Sequence, residues 1–281
     1  MPYATASDDT RLWYEAAGSG PALLMAHELG SDARQWRGQV EAFSRRFRCI
    51  TPNARGYPPS GVPEEDHAYL WTRFAADIGT VLDAAGEARA MVMGWSMGAY
   101  AALQFARLHP DRVRALVLVG IGSGSPQGDE DLWRMQMRDL SAAWLEDPRR
   151  GARLLAEAPN RQALRRLNPE AFAAWLADLE GHSPEGMART CRNYQGRRAS
   201  LQDFEAEFAG LQVPTLVVCG EEDAPCLETS RWLARVLPNA ELWLESGAGH
   251  CPNLETPDKF NMRIGRFLAD VREAPHDREQ A

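Results

Sequence analysis

Ser96 lies in a segment whose residue types and spacing suit a catalytic nucleophile. The run Gly94-Trp95-Ser96-Met97-Gly98 is entered from a strand-like stretch, Ala90–Met93, and left through a helical stretch that begins at Ala99. A tight strand-to-helix turn exposes the serine hydroxyl, and the two glycines remove Cβ atoms that would clash there. The five-residue pattern alone also occurs in ordinary glycine-rich turns. The strand before it and the helix after it favour the nucleophile.

A serine hydroxyl becomes a useful nucleophile only beside a base that an acid holds in place. The strand-like run Thr215–Cys219 ends shortly before Asp223, and the run Glu241–Glu245 leads to His250. Because open parallel sheets place their sites at the carboxyl ends of strands, both side chains are expected beside Ser96. Their order along the chain, serine, aspartate, histidine, is the order of one known type of triad. The adjacent acids Glu221 and Glu222 are the alternatives to Asp223.

Short apolar runs alternate with helical patterns along most of the chain. This alternation is typical of an α/β protein with a mostly parallel, helix-flanked sheet, and continuous apolar runs suit strands buried on both faces. Helices are clearest over Ala99–Leu108 and from Glu228 to just before Pro238. The predicted strands are Leu12–Glu15, Ala22–Ala26, Cys49–Pro52, Ala90–Met93, Ala115–Val119, Thr215–Cys219 and Glu241–Glu245.

The strand signal disappears between about residue 122 and residue 205. An apolar stripe at helical spacing runs from Trp133 through Met137 to Trp144. Asn168-Pro169 and Ser183-Pro184 each combine a helix-capping residue with a proline at the first helical position. We therefore predict an all-helical cap, residues 122–205, inserted into an α/β core formed by residues 1–121 and 206–281.

Composition bounds the classes of partner and the compartment. The 281 residues carry 31 Lys and Arg against 39 Asp and Glu, a net charge of −8, which argues against nucleic acid as a partner. The longest uncharged stretch, residues 90–106, is too short and too interrupted by polar residues to insert in a membrane. The five cysteines are odd in number and lack disulfide or metal spacing, and no secretory signal precedes the first strand. We expect a cytoplasmic protein and leave its oligomeric state open.

Together these motifs resemble the serine hydrolases of the α/β-hydrolase fold that carry a helical cap. Other matching segments are Ala26-His27 with Gly30-Ser31, Arg55-Gly56, and the stretch from His250 to Phe260 that contains Asn253-Leu254-Glu255-Thr256-Pro257. The resemblance covers nearly the whole chain and implies catalysis by Ser96, Asp223 and His250 without a cofactor or a metal. It also implies an oxyanion hole made by the backbone N–H groups of Met97 and Leu29.

Two loops depart from the family pattern. The family usually has glycine after the histidine at position 27, and this chain has Glu28. Because buried charges persist when they are paired, we expect Glu28 to pair with a nearby arginine such as Arg55. Repulsion of a charged acyl group and ordering of a water are the alternatives. The second departure, Asn53 to Ser60, contains two prolines and Tyr57, which is expected to line the cleft.

The substrate pocket is expected to involve Glu28, Trp95, Tyr57, Trp133 and Met137. An apolar stripe at helical spacing first of all indicates packing. Packing is therefore the alternative interpretation for the cap residues Trp133, Met137, Trp144 and Trp175. Cys226 and Cys251 follow Asp223 and His250 closely and are interpreted as small buried side chains, with a redox-sensitive pair as the alternative.

The resemblance implies a serine hydrolase that cleaves a small carboxylic ester or lactone through an acyl-enzyme. A C–C bond hydrolase acting on a vinylogous diketone would use the same three residues, and acyl transfer to another acceptor is also open. A hydrolase-fold receptor that binds a small molecule, or an inactive scaffold, are the hypotheses outside catalysis. Turnover separates these classes, because fold alone does not.

Overall fold

A computed structural model of the protein describes residues 2–122, 124 and 130–273. Eight strands form one sheet in the order β1-β2-β4-β3-β5-β6-β7-β8. The pairs β1/β2 and β2/β4 are antiparallel, and all other neighbours are parallel. The strands are β1 Tyr3–Thr5, β2 Arg11–Ala17, β3 Ala22–Ala26, β4 Arg48–Pro52, β5 Ala90–Trp95, β6 Val113–Val119, β7 Thr215–Gly220 and β8 Ala240–Glu245.

Helices cover the sheet and fill the region between β6 and β7. Those outside that region are α1 Arg37–Phe43, α2 Trp71–Ala84, α3 Met97–Leu108, α10 Ala224–Val236, α11 Pro252–Glu255 and α12 Pro257–Glu273. Those between β6 and β7 are α4 Glu130–Glu146, α5 Pro148–Ala156, α6 Gln162–Leu167, α7 Pro169–Glu180, α8 Pro184–Arg189 and α9 Glu205–Ala209. A π-helix spans Thr190–Gln195, and short 3-10 turns span Ala33–Trp36, Asp66–Tyr69, Pro110–Arg112, Pro159–Arg161 and Leu201–Phe204.

Burial explains why the central strands form where the apolar runs are. Every residue of β5 and of β7 is buried, as expected for parallel strands with helices on both faces. The edge strand β8 is less completely buried than β5 and β7, and its residues Glu241 and Leu242 are exposed. The predicted mostly parallel, helix-flanked sheet is thereby confirmed. All seven predicted strands are present, and the three-residue strand β1 is an addition.

The described elements between β6 and β7 are all helical. Their starts follow local signals, since the Asn168 side chain accepts from Ala171 N at 3.1 Å and the Ser183 hydroxyl accepts from Gly186 N at 3.1 Å. We call residues 130–209 the helical segment. Within the described residues, no helix is both long and apolar enough to cross a membrane.

Candidate active site

Ser96 sits on a strained turn between β5 and α3. Its φ of 51° and ψ of −107° are unusual for a residue with a side chain, and such a conformation costs on the order of 1–3 kcal/mol. A Cβ on Gly94 would lie 2.3 Å from Gly98 O, and one on Gly98 would lie 2.3 Å from Ala26 O. Only glycine fits either position. The turn leaves Ser96 half-buried, whereas its immediate neighbours are buried.

Asp223 and His250 come together because the loops after β7 and β8 pack backbone against backbone. A Cβ on Gly220 would lie 2.1 Å from Gly249 O, so these loops approach as closely as glycine permits. His250 Nδ1 lies 2.7 Å from Asp223 Oδ2, and both side chains are buried. Burial raises the pKa of Asp223, but the charge and hydrogen bond of His250 outweigh it and lower that pKa below its usual value. An ionised Asp223 therefore holds the Nδ1 side of the imidazole.

The backbone around His250 is held by two contacts from other parts of the chain. Buried Glu255 accepts from Gly249 N at 2.6 Å through Oε2 and from Cys251 N at 3.1 Å through Oε1. His250 N donates to Asn160 O at 3.2 Å, a contact with the helical segment. One carboxylate and one carbonyl thus fix the loop on both sides of the histidine.

The two expected oxyanion-hole residues lie at the start of α3 and in the loop after β3. Met97 is the first residue of α3, where backbone N–H groups have no partner within the helix. Leu29 follows Glu28 in the loop after β3 and lines the same cavity as Ser96. His27 fixes this loop, since its Nε2 accepts from Ala54 N at 2.9 Å and its Nδ1 lies 2.8 Å from Glu28 O. Burial lowers the pKa of His27, which keeps the ring neutral and able to accept that bond.

Glu28 pairs with Arg161 from the helical segment, so the expected pairing with Arg55 is wrong. Arg55 instead binds Asp8 at 2.6 Å and Asp77 at 2.7 Å, which occupy its guanidinium fully. Glu28 has no exposed surface, and its Oε2 accepts from Arg161 Nη2. The same Oε2 lies 3.5 Å from His250 Nε2.

Arg161 is itself almost completely buried. Its Nη1 donates to Cys251 Sγ at 2.8 Å, and its guanidinium lies 4.9 Å from the Trp175 ring and 5.6 Å from the Trp95 ring. Burial lowers its pKa, but Cys251 and Glu28 outweigh that effect and keep the guanidinium charged. The pair therefore brings one negative and one positive charge, balanced against each other, into the wall beside the histidine.

Ser96 and His250 open into one cavity of about 350 Å³ between the sheet and the helical segment. Three of the five expected pocket residues, Glu28, Trp133 and Met137, lie on its wall. Two glutamines, Gln136 and Gln195, add polar groups. The rest of the wall is formed by Leu29, Leu155, Ala158, Pro159, Asn160, Arg161 and Pro225.

Trp95 and Tyr57, the other two expected pocket residues, lie behind the wall. The Trp95 indole N–H donates to His250 O at 2.7 Å, which turns the ring toward the histidine backbone. Tyr57 has no exposed surface because its ring packs edge-on against His27 and His182, with centroid distances of 4.7 Å and 5.3 Å. Neither residue lines the cavity, although Trp95 contacts a residue that does, namely His250.

Cys226 and Cys251 are both buried and form no disulfide, in agreement with their interpretation as small buried side chains. Cys226 Sγ lies 3.9 Å from His250 Nδ1, and Cys251 Sγ accepts from Arg161. Asp223, Cys226 and His250 each bring one potential metal-ligand atom within 4.8 Å of the others. The bond between Asp223 and His250 already uses two of these three groups, so a metal would have to separate the pair.

Sequence reasoning missed several residues at the site, among them Arg161, Tyr194 and Gln195. All three come from the helical segment, and none belongs to a recognisable motif. The Tyr194 hydroxyl donates to Met97 O at 2.7 Å, directly after the serine. A buried arginine or tyrosine cannot be recognised from sequence unless its partner is known. The partners of Arg161 and Tyr194 are about 100 residues away along the chain.

Comparison with known proteins places the chain in a family. Residues 21–257 match the family model described as the alpha/beta hydrolase fold. A curated relative named "Putative carbamate hydrolase RutD", from Azorhizobium caulinodans, is 28% identical over 283 residues, which is 96% of this chain and 99% of that protein.

Two further relatives are similar over comparable lengths. A pimeloyl-(acyl-carrier protein) methyl ester esterase from Nitrosomonas europaea is 30% identical over 250 residues, covering 88% of this chain and 95% of that protein. The crystal structure of the enol-lactonase from Burkholderia xenovorans LB400 superposes with a TM-score of 0.81 at 27% identity, covering 95% of this chain and all of that one. The chain therefore belongs to the enzyme family of the alpha/beta hydrolase fold.

Proposed function

We propose that this enzyme hydrolyses a small carboxylic ester or lactone through an acyl-enzyme formed on Ser96. The observation that carries the proposal is the 2.7 Å contact between His250 Nδ1 and Asp223 Oδ2 at a cavity that also contains Ser96. The contact leaves Nε2 as the basic atom of the ring, as a general base for a serine requires. The methyl ester esterase and the enol-lactonase among the similar proteins support the substrate class.

In this proposal Ser96 attacks the carbonyl carbon while His250 Nε2 takes the hydroxyl proton. Asp223 stabilises the imidazolium through Nδ1, and the N–H groups of Met97 and Leu29 bind the negative oxygen of the tetrahedral intermediate. The C–O bond then breaks, and His250 returns the proton to the leaving alkoxide. Water, deprotonated by His250, attacks the acyl-Ser96 and releases the carboxylic acid.

The charges of the cavity wall bear on which esters fit. Glu28 lies 3.5 Å from His250 Nε2 and is neutralised by Arg161, so the wall near the reacting atoms carries no net charge. Because the Arg161 guanidinium on this wall is already paired with Glu28, an anionic acyl group would be buried there without an unengaged counter-charge from this arginine. Uncharged acyl groups are therefore the expected substrates.

Two other features belong to the proposal. We take residues 122–205 as a cap over a core of residues 1–121 and 206–281, because the Ser96 cavity has walls from both parts. The five thiols, all buried and none joined in a disulfide, suit a reducing compartment such as the cytoplasm.

The test measures intact mass after incubation with a small fluorophosphonate, on the wild type and on Ser96→Ala. A single adduct that disappears in S96A, together with repeated turnover of simple esters, is the expected result. No adduct on folded wild-type protein would contradict the proposal. An adduct without repeated ester turnover would contradict the proposed hydrolysis of esters and favour a receptor that has the same fold.

A matched pair of acid variants tests the assignment of Asp223. Asp223→Asn should lower kcat by roughly 10³–10⁴-fold, because the imidazole then loses its orienting charge. Glu222→Gln, one residue away, should change kcat less than twofold, since Glu222 is exposed and binds Arg166 at 2.8 Å. Equal losses in the two variants would contradict the assignment.

A further inference from the structure

The π-helix Thr190–Gln195 carries a part of the cavity wall that the proposed mechanism leaves unused. Gly196 N donates to Cys191 O at 2.9 Å, the five-residue spacing that defines such a helix. π-helical turns are rare, less favourable than α-helical ones and frequent at functional sites. Here the turn is fixed to the nucleophile, because the Tyr194 hydroxyl donates to the carbonyl of Met97. The next residue, Gln195, lines the same cavity as Ser96.

Gln195 is buried, and its side-chain oxygen has no partner. The residue is 3% exposed and lines the cavity that contains Ser96. Its backbone carbonyl accepts from Trp133 Nε1 at 2.7 Å, which fixes the main chain. Its Oε1 is buried without a hydrogen-bond partner in the part of the chain that the structure describes. Leaving a buried amide oxygen unpaired is unfavourable by about 1–3 kcal/mol, so rotation of the terminal amide that turned Oε1 toward a donor in the cavity would be stabilising.

The oppositely charged pair on the same cavity wall, Arg161 and Glu28, is already engaged. Arg161 donates to Glu28 and to Cys251, and Glu28 accepts from Arg161. Much of the remaining wall consists of carbon, including Leu29, Met137 and Pro225. Gln136 shares the cavity but is exposed, so water satisfies its amide. Gln195 thus offers a buried acceptor and, on the same amide, N–H donors in an otherwise mainly apolar surface.

We propose that Gln195 is a specificity-determining residue that binds an amide group in the acyl part of the substrate. A secondary amide matches the side chain, because its N–H donates to Oε1 while its carbonyl accepts from Nε2. The inference rests on the proposed ester or lactone hydrolysis and narrows its substrate class to esters that carry an uncharged amide. In this arrangement the substrate amide binds Gln195, while the scissile ester carbonyl is a separate group that binds in the oxyanion hole.

The experiment uses three pairs of methyl esters whose members differ only in N–H against CH₂. They are methyl N-acetylglycinate with methyl 4-oxopentanoate, methyl N-acetyl-β-alaninate with methyl 5-oxohexanoate, and methyl N-acetyl-4-aminobutanoate with methyl 6-oxoheptanoate. Hydrolysis is followed by base uptake at constant pH, and kcat/KM is measured for each member. Because the two members differ in intrinsic reactivity, the quantity compared between variants is the amide-to-ketone ratio of kcat/KM.

In at least one pair, Gln195→Met should lower that ratio roughly tenfold, the value of one hydrogen bond to a neutral group. Gln136→Met is the matched control and should keep the wild-type ratio, since Gln136 is exposed. Gln195→Glu keeps the acceptor atom and should also keep the preference for the N–H member. It serves as the second variant if Q195M folds poorly. Fluorophosphonate labelling at Ser96 should still occur in Q195M, which shows that the variant is folded, and the comparison between variants uses only the amide-to-ketone ratio.

A ratio that is unchanged by Q195M in all three pairs would overturn the inference, and would mean that Oε1 binds only a cavity water. Loss of the preference in Q195E would overturn the acceptor role. Absence of both labelling and hydrolysis in the wild type would instead overturn the proposed function. These failures are distinguishable because labelling and hydrolysis by the wild type test the proposed function, whereas the amide-to-ketone ratio of the variants tests the role of Gln195.

Discussion

Replacing Arg161 by methionine tests how the helical segment is joined to the catalytic loops. Methionine keeps an unbranched apolar chain similar to the aliphatic part of arginine and removes the charge that faces Glu28. Glu28, which has no exposed surface, would then keep its carboxylate 3.5 Å from His250 Nε2 without its partner. The contacts of Arg161 with the Trp175 and Trp95 rings would also be lost.

The expected loss of unfolding free energy follows from this burial. Removing one partner of a buried ion pair costs about 3–5 kcal/mol, mainly because the other charge stays in a medium of low dielectric constant. This is a large share of the roughly 5–15 kcal/mol by which folded proteins are stable. For a chain somewhat longer than 250 residues, even a loss of 3 kcal/mol lowers Tm by roughly 6–12 °C.

A double-mutant cycle separates the ion pair from simple packing. Glu28→Gln alone leaves Arg161 buried without its carboxylate and should also destabilise the protein. The double variant Glu28→Gln with Arg161→Met has no buried charge at this place, so it should lose less free energy than R161M alone. The coupling between the two positions should reach about 3 kcal/mol, the upper end for residues in contact.

Urea unfolding at pH 7, followed by tryptophan fluorescence, gives the free energies, provided that the slope with urea concentration is the same in all variants. Arg166→Met is the matched control, because the pair between Arg166 and Glu222 is exposed and should contribute less than about 1 kcal/mol. The reasoning is refuted if the losses of the two single variants simply add in the double variant. It is equally refuted if R161M costs as little as R166M.

Two further predictions concern the contact between the helical segment and the loop after β4. Gly186→Ala should lower the free energy of unfolding by about 3 kcal/mol or more and reduce ester turnover, because a Cβ there would lie 1.9 Å from Gly56 O. Gly38→Ala, which meets no atom within 4 Å, should be neutral or stabilising in the same urea titration. His182 has its pKa lowered to about 4 by burial, so the unfolded chain binds a proton at this residue between about pH 6.5 and pH 4 while the folded chain does not. Wild-type stability should therefore fall by up to roughly 3 kcal/mol as pH drops through that range. His182→Asn should show a correspondingly smaller fall, and parallel pH profiles would contradict the burial argument.

Most of the sheet could be predicted because each central strand has a recognisable pattern in its own sequence. A parallel strand buried on both faces needs a continuous apolar run, and the runs at Ala90 and Thr215 are of this kind. Strand β1 was missed because three residues at an edge, one of them exposed, leave no such run. Its position depends on antiparallel pairing with β2, which the local sequence does not encode.

The residues expected to form the triad could be located from sequence because the strands from β5 to β8 follow each other in the sheet in the same order as along the chain. Parallel strands end at the same edge of the sheet, so a residue just after β5, one after β7 and one after β8 all lie at that edge. The partner of Glu28 follows no such rule. Arg55 was the natural expectation from its loop, yet Asp8 and Asp77 already hold it.

The residues that remained hidden are those that would discriminate between substrates. The core loops are constrained by strand ends, whereas the cavity wall above Ser96 is built by side chains of a helical segment that meets the core only after folding. A periodic pattern shows which face of a helix is apolar, as it did for Trp133 and Met137, but not which of those residues borders empty space. Gln195 reaches the cavity through a π-helical turn, which shifts its side chain out of the α-helical register. The same reasoning explains why a motif that identifies the family says little about the acyl group, and why variants of the wall, rather than of Ser96, will reveal the substrate.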